Sequence, residues 1–298
     1  MRFSIGTAFM PADHYVPLAR AADDAGYHAV ACSDHVVNLE TLRTPYPYSH
    51  DGSRRWATFT PWLDPWVAIA AMAAVTERLR FFTNVYVLPM RNPFVVAKAV
   101  GTAVALSGNR VALGVGMGWC EEEFELMEQP FRNRGRRADE MLEMLRALWS
   151  GQMIEHHGEH YDFAPLEMNP PLTAPVPIYV GGTSDAALRR AARHDGWISD
   201  LASTDELAAF RRRIDAHRSE LGRDGQPFAM IGSPDDAADV DGYRRAADAG
   251  VTDLLTMPWV FYSGFTDDLQ QKIDGVHRFA DDVLSHFEPD PHVGPGRP

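Results

Sequence analysis

Short β-rich runs alternate with longer amphipathic runs along the whole chain. The β-rich runs, which we predict to be strands, are Phe3–Phe9, His28–Ser33, Arg80–Leu88, Arg110–Gly114, Ile178–Gly181, Gly196–Ser199, Phe228–Gly232 and Thr252–Thr256. The runs with a helical period are Asp13–Ala25, Pro65–Thr76, Phe94–Leu106, Arg136–Trp149, Ala186–His194, Asp205–Leu221, Asp239–Ala249 and Thr266–Phe287. Strand and helix repeated about eight times is the pattern of an α/β protein with a (β/α)8 TIM barrel. A doubly wound sheet is the alternative, but no G-x-G-x-x-G segment follows the first strand, so the barrel is favoured.

Two connecting segments are longer than ordinary barrel loops. The first, residues 38–63, follows the second predicted strand and is rich in aromatic residues, including Tyr46, Tyr48, Trp56 and Trp62. The second, residues 151–175, contains an expected hairpin and a proline-rich return. Long loops in a barrel form lids, binding loops or oligomer contacts. We predict one domain over residues 1–287 with long inserted loops, and a disordered tail over 288–298.

The formal net charge of −13 argues against nucleic acid or an anionic membrane as the main partner. A phosphorylated ligand stays compatible with it, because local N–H groups and arginines can oppose the global field. Cys32 and Cys120 are too few for a disulfide framework, and no signal-peptide or membrane-spanning run is visible. These features predict a cytoplasmic protein. Only two of the 28 basic residues are lysines, which indicates a GC-rich, actinobacterium-like genome.

Candidate chemistry lies where the predicted strands end, because a barrel carries its functional groups at the carboxyl ends of its strands. Asp34 and His35 follow the second strand and could bind a polar ligand edge and move a proton near neutral pH. The alternative is that Asp34 caps a loop and His35 fills a polar pocket. Asn84 interrupts the apolar third strand, which indicates either a bulge or strained peptide, or a barrel-interior Asn satisfied by its neighbours.

The fourth predicted strand runs into Gly114, Gly116 and Gly118, which alternate before Trp119. Glycine lets a flat ligand approach the backbone, and Trp119 could form a wall beside it. The carboxylates of residues 121–123 come next, at a helix start. There they favour the positive helix end, so capping is preferred to catalysis for them. We expect the neighbouring thiol of Cys120 to be inert.

The strand Ile178–Gly181 leads into Gly182, Thr183 and Ser184 at the start of a helix. Bare backbone N–H groups at a positive helix end can hold a phosphate without a clash with any Cβ atom. A tight connection without a ligand is the alternative.

Two other kinds of site find little support. The run His156-His157-Gly158-Glu159-His160 straddles the expected hairpin turn, so its imidazoles should fan outward into solvent rather than bind a metal. No G-x-S-x-G elbow occurs, which removes support for acyl transfer. We predict no metal site.

Motifs in sequence order over nearly the whole chain carry a family resemblance. They are Ser33-Asp34-His35, Asn84-Val85, Leu88-Pro89-Met90-Arg91-Asn92-Pro93, Leu113-Gly114-Val115-Gly116-Met117-Gly118-Trp119, Glu122-Glu123-Phe124, Arg136-Arg137-Ala138-Asp139-Glu140, Tyr179-Val180-Gly181-Gly182, Ala191-Ala192-Arg193 and Asp195-Gly196-Trp197. With them the chain resembles the luciferase-like monooxygenase superfamily, and within it the coenzyme F420 (deazaflavin) dependent oxidoreductases of actinobacteria. Members that use FMN share most of these motifs.

The resemblance implies a role for each matching residue. It implies a cis peptide at Asn84–Val85 that presses a backbone bulge against the cofactor ring, with Asp34 hydrogen-bonded to the ring's polar edge. The residues implied to bind the cofactor are Asp34, Asn84, Val85, Tyr86, Met117, Gly181, Gly182, Thr183 and Ser184, the last four at the phosphate. The implied catalytic positions are His35, which handles the proton, and Trp119. Sugar-phosphate dehydrogenases of the family have a catalytic carboxylate where this chain has Trp119, which favours a less polar substrate here.

We therefore predict an enzyme that transfers a hydride between coenzyme F420 and a small organic substrate. The alternatives are an FMN-dependent monooxygenase that uses oxygen, and a binding or storage barrel without catalysis. Related barrels often pair through outer helices, so we also expect a homodimer, to which Trp149 or the apolar second helix could contribute.

Overall fold

The computed structural model describes residues 1–288, so the predicted tail over 288–298 lies outside the described residues apart from Glu288. The strands in the described range are β1 (Arg2–Gly6), β2 (Ala29–Cys32), β3 (Arg80–Thr83), β4 (Tyr86–Val87), β5 (Val111–Gly116), β6 (Ile154–His157), β7 (Asp162–Leu166), β8 (Ile178–Gly181), β9 (Gly196–Ala202), β10 (Ala229–Pro234) and β11 (Asp253–Thr256). The α-helices in that range are α1 (Tyr15–Asp24), α2 (Pro65–Ala73), α3 (Pro93–Ser107), α4 (Glu121–Leu126), α5 (Arg134–Leu148), α6 (Asp185–Ala192), α7 (Thr204–Glu220), α8 (Val240–Asp248), α9 (Val260–Ser263) and α10 (Leu269–Asp282).

Eight parallel strands of the described range close into a barrel. Around the barrel they follow the order β1, β2, β3, β5, β8, β9, β10 and β11, and β11 pairs with β1. The short strand β4 continues the course of β3 beyond a break and pairs with β5. The antiparallel pair of β6 and β7 forms a separate sheet, which is the predicted hairpin. The predicted (β/α)8 TIM barrel is confirmed.

Side chains along the strands alternate between two apolar layers, as the period of two requires. The inner layer fills the barrel and consists of Ala29, Ala31, Phe82, Ala112, Ile198, Ala229, Ile231 and Leu255. The outer layer lies between strands and helices, where Phe3 and Ile5 of β1 pack. Because this core occupies the middle of the barrel, polar and aromatic groups that follow the strands are left at its carboxyl end.

The helix starts follow from local chemistry. Asp64 accepts hydrogen bonds from the amides of Trp66 and Val67, and Pro65 is the first residue of α2, as the sequence predicts. Two predictions of elements were incomplete. The strand predicted over Arg80–Leu88 is broken after Thr83. A helix start was predicted at residues 121–123, where α4 begins, but its extent was not, and α9 was not predicted, because helices of six and four residues are too short to show a period.

The outer surface carries an apolar face on α2 and α3. Val67, Val95 and Leu106 are exposed there by 71%, 66% and 69%. The expected homodimer stays a prediction, and this face is where we would look for its interface. No helix within residues 1–288 is long and apolar enough to cross a membrane.

Candidate active site at the carboxyl end of the barrel

The break in the third barrel strand lies at a cis peptide bond between Asn84 and Val85, as the resemblance implies. The Val85 side chain packs against two strands on which neighbouring positions are glycine. A Cβ atom on Gly181 would lie 2.8 Å from Val85 Cγ1, and one on Gly116 would overlap Cγ2. A Cβ atom on Gly114 would overlap the Thr83 carbonyl oxygen. Gly114 and Gly116 therefore make room for the broken strand. That the glycines after this strand also let a flat ligand approach the backbone stays a prediction.

Asp34 ties the end of β2 to the segment after the break. Its carboxylate accepts two hydrogen bonds from the Arg91 guanidinium, at 2.6 and 2.7 Å, and one from the Val87 amide at 2.9 Å. The Arg91 guanidinium also lies 4.4 Å from the centre of the Tyr86 ring. The Asp34 side chain is only 1% exposed, so its carboxylate is committed to Arg91. The carboxylate thus positions Arg91 and the Val87 amide, and its hydrogen bond to a cofactor ring edge stays a prediction.

Tyr86 is buried in the outer core layer rather than lining the mouth of the barrel. Its ring packs edge-on against Trp66 of α2, with the centroids 5.3 Å apart. Burial raises the pKa of its hydroxyl to about 12. The prediction that Tyr86 lines the cofactor ring is corrected, because the strand break turns this side chain towards the helices. Met117, also predicted there, is partly buried against the same core.

His35 is held by the buried carboxylate of Glu123, for which the sequence favoured helix capping over catalysis. The Nδ1 atom of His35 lies 2.9 Å from Glu123 Oε2, and the other Glu123 oxygen accepts from the amides of Val36 and Val37 at 3.0 and 3.5 Å. An ionised carboxylate only accepts, so Nδ1 donates and the neutral imidazole presents the lone pair of Nε2. The one feature of the sequence that could have indicated a role for Glu123 in the site is its position in the motif that follows Trp119.

Three indole rings surround the His35 imidazole. The ring centres of Trp56 and Trp62 each lie 4.9 Å from the imidazole centre, and that of Trp119 lies 6.0 Å away. We call Trp56, Trp62 and Trp119 the tryptophan cage. Two of the three come from residues 38–63, which we call the lid, so the predicted long loop and the predicted Trp119 meet at His35. This apolar enclosure leaves the His35 side chain 13% exposed.

Ion pairs and hydrogen bonds hold the lid over the barrel. The Glu122 carboxylate accepts hydrogen bonds from the amides of Arg43 and Thr44, and the Arg43 side chain reaches Glu125 at 2.6 Å. Farther along the lid, Arg55 pairs with Asp200 of β9 at 2.8 Å. Burial acts to raise the pKa of Glu122, but the hydrogen bonds outweigh it and lower that pKa to about 2. The carboxylate therefore stays ionised at neutral pH and keeps this end of the lid anchored.

The glycine turn after β8 leads into the N-terminus of α6. Gly182 has a φ of +106°, a conformation that L side chains rarely adopt. Ser184 caps α6 by accepting a hydrogen bond from the Ala187 amide at 3.3 Å, and Thr183 and Ser184 are exposed to solvent. Gly181, at the start of the turn, lies so near Val85 that an added Cβ atom would be 2.8 Å from Val85 Cγ1. The residues predicted to hold the phosphate therefore lie at a solvent-exposed helix N-terminus, and their phosphate binding stays a prediction.

Other candidate chemistry lies apart from this site. Burial raises the pKa of the Cys120 thiol to about 12, in agreement with an inert cysteine. In the hairpin, His156 bonds to Glu140 at 3.0 Å, and the His160 amide donates to the same carboxylate, so only His157 points outward as predicted. Residues 1–288 contain no group of three or more side chains placed to hold a metal ion.

Comparison with known proteins adds to this geometry. Residues 3–239 match the family model described as luciferase-like monooxygenase, which confirms the resemblance seen in the motifs. An uncharacterized protein of Mycobacterium tuberculosis is 42% identical over 287 residues, which cover 96% of this chain and 99% of that protein. An F420-dependent glucose-6-phosphate dehydrogenase of Nakamurella multipartita is 34% identical over 198 residues, covering 64% of this chain and 52% of that enzyme. The barrel superposes on an F420-dependent secondary alcohol dehydrogenase with a TM-score of 0.75 at 16% identity, covering 97% of this chain and 100% of that one.

Proposed function

The chain belongs to the luciferase-like monooxygenase family, and from that membership we propose that it is an oxidoreductase that uses coenzyme F420. The observation that carries the proposal is the His35–Glu123 pair inside the tryptophan cage, at the same barrel end as the strand break and the glycine turn. A relative of known activity, the glucose-6-phosphate dehydrogenase, is F420-dependent by name, which favours this cofactor over FMN.

The residues present fit such a cofactor. A phosphate would sit at Gly181, Gly182, Thr183 and Ser184, where φ of +106° at Gly182 leaves a cradle that a Cβ atom would disturb. The ring would lie against the backbone at Asn84 and Val85. Asp34 would support the ring indirectly, since its carboxylate holds Arg91 and the Val87 amide behind the strand break.

When bound, coenzyme F420 supplies an acceptor or donor of a hydride, and the protein supplies the rest. His35 Nε2 takes the substrate's proton in one direction and returns it in the other. Glu123 holds the imidazole in the tautomer that leaves Nε2 free. The indoles of the tryptophan cage exclude water from the reacting atoms.

A binding titration tests the cofactor. The full-length protein is titrated with oxidised F420 and separately with FMN, with absorption and fluorescence of each cofactor as the readout. We expect saturable binding of F420 and weak or no binding of FMN. Turnover of the F420-loaded protein should proceed without oxygen. Binding of FMN alone, with turnover only in oxygen, would show the family's monooxygenase chemistry instead.

Glu123→Gln tests the positioning of His35. The amide can keep accepting from the Val36 amide while it presents an NH2 group to Nδ1, which moves the imidazole proton to Nε2. We expect kcat/KM to fall by about 10²-fold in the direction that needs Nε2 as a base. The ¹⁵N spectrum of His35 should show the exchanged tautomer. Glu121→Gln, on the exposed side of the same helix, is the matched control, and equal losses in both variants would contradict the positioning role.

A further inference from the structure

A cleft lies at the amino end of the barrel, away from His35. It has a volume of about 400 Å³ and lies between α5, the turn that joins α6 to β9, and the loop after α7. We call it the amino-end cleft. Basic side chains from all three segments line it, namely Arg146 from α5, Arg193 and His194 from the turn, and Arg223 from the loop. A cleft of this volume is in the range of sites that bind small molecules.

Two of these basic side chains carry buried nitrogen atoms without an acceptor. His194 Nδ1 and Arg223 Nε are inaccessible to solvent and have no hydrogen-bond partner among residues 1–288. Most buried polar atoms in native proteins have a partner, so each exception calls for an explanation. Arg223 donates from Nη2 to the His194 carbonyl at 3.4 Å, but within the described chain neither Arg223 nor the exposed Arg193 forms an ion pair.

Most of the carboxylates that line the amino-end cleft are already engaged. Asp195 accepts a hydrogen bond from Arg146 at 3.0 Å, and Asp139 accepts two from Arg190 of α6. Of the three carboxylates there, Glu143 alone has no cationic partner in the part of the chain that the structure describes. One unpaired carboxylate therefore accompanies two unpaired guanidinium groups, so positive charge is locally in excess although the whole chain carries a net charge of −13.

The imidazole of His194 responds to this surplus. Burial and the charge of Arg146 lower the pKa of His194 to about 4, with a smaller contribution from Arg223, against the opposing effects of Asp195 and Asp139. The ring is therefore neutral at pH 7 and offers one N–H donor without adding charge. An anion in the cleft would favour the charged imidazole, so a bound anion should raise this pKa.

We propose that the amino-end cleft is a second ligand site, which binds the phosphate group of a small phosphorylated metabolite. Guanidinium groups form paired, charge-assisted hydrogen bonds with phosphate oxygens. Donors that come from three separate segments suit a tetrahedral group better than a planar carboxylate. The cleft is larger than one phosphate ion, which leaves room for the organic part of the ligand beside Leu142 and Glu143, whose carboxylate can accept from a hydroxyl group.

Histidine NMR tests the site without cofactor. The full-length protein with histidine labelled by ¹³C at Cε1 has twelve histidines, and His194→Gln identifies the signal of interest. Glycerol 3-phosphate is the probe, glycerol is its uncharged counterpart, and citrate offers carboxylates only. We expect a saturable shift of the His194 signal and a raised pKa with glycerol 3-phosphate, no effect of glycerol, and weaker binding of citrate. A His194 signal unmoved by glycerol 3-phosphate, or tighter binding of citrate, would overturn the proposal.

Two arginine variants test the donors. Arg193→Gln and Arg223→Gln each remove an unpaired guanidinium group, and we expect the dissociation constant for glycerol 3-phosphate to rise by about tenfold or more. Arg193 is exposed, so its variant should fold as the wild type does. Arg20→Gln, exposed on α1, is the matched control and should bind as the wild type does. Wild-type affinity in both cleft variants would show that these arginines serve only the ends of the neighbouring helices.

Gly182→Asp separates this site from the phosphate site proposed for the cofactor. Gly182 precedes α6 at the carboxyl end of the barrel, whereas His194 follows α6 at the amino end. The response of the His194 signal to glycerol 3-phosphate should therefore be unchanged in Gly182→Asp, and its loss there would contradict a separate site. Failure of F420 to bind the wild type would refute the proposed function alone, because the amino-end cleft is tested without cofactor.

Discussion

Replacing His35 with alanine is expected to lower kcat/KM by about 10²–10⁴-fold, the range that a positioned acid–base group contributes. Nε2 is the one imidazole atom left free by the Glu123 hydrogen bond, so the variant removes the proton carrier together with its orientation. The predicted phosphate seat lies on another strand, so F420 affinity should change by less than about threefold (0.65 kcal/mol). Steady-state kinetics and a cofactor titration on the same preparation measure both quantities.

His157→Ala is the control for the loss of an imidazole, because that ring is exposed on the hairpin. It should leave both turnover and affinity unchanged. If His35→Ala turned over at the wild-type rate, the proton carrier would be another group. If the wild type bound F420 but oxidised or reduced none of a broad set of alcohols and ketones, a binding barrel without catalysis would be favoured.

Gly182→Asp should weaken F420 binding by about 10²–10³-fold, since juxtaposed like charges cost several kcal/mol. The substitution forces a side chain onto a residue with φ of +106°, with its Cβ atom 3.2 Å from that of Ala187. It also places a carboxylate where we expect the cofactor's phosphate. The dissociation constant from a fluorescence titration is the measurement.

Two further variants separate charge from backbone strain. Gly182→Ala introduces the backbone strain without the negative charge, so it should weaken F420 binding less than Gly182→Asp does. Gly26→Asp places the same side chain at φ of +82° with no atom within 4 Å of its Cβ, between α1 and β2 at the opposite end of the barrel. We expect Gly26→Asp to lower the stability of the protein and to leave its affinity for F420 unchanged. Wild-type affinity in Gly182→Asp would show that the phosphate binds elsewhere.

Much of the barrel was predictable because its elements depend on local pattern. The strand Ile178–Gly181 was predicted with the bounds that it has, since apolar residues end there at two glycines. The convergence of Asp34, His35 and Trp119 at one end also followed, because parallel strands share a carboxyl edge. The resemblance contributed the location of the cis peptide.

Contacts between segments that are distant in sequence could not be predicted from the pattern of apolar and polar residues. Glu123 lies 88 residues from His35 and Arg91 lies 57 from Asp34, and no local period links such pairs. The carboxylate run at 121–123 looked like helix capping because a helix start favours acidic residues whatever they face. The lid's aromatic content was visible, but which of its rings reach the imidazole was not.

The sequence by itself determined the fold class, the end of the barrel at which the functional groups lie, and the residue types available there. Those follow from periodicity and from turn residues, which act over a few positions. Only the tertiary structure decided that the Asp34 carboxylate binds Arg91 and that the Tyr86 side chain turns into the core. It also decided that Glu123 orients His35 within the tryptophan cage. Packing at a broken strand and the path of a long loop set these choices, and both depend on every neighbouring element at once.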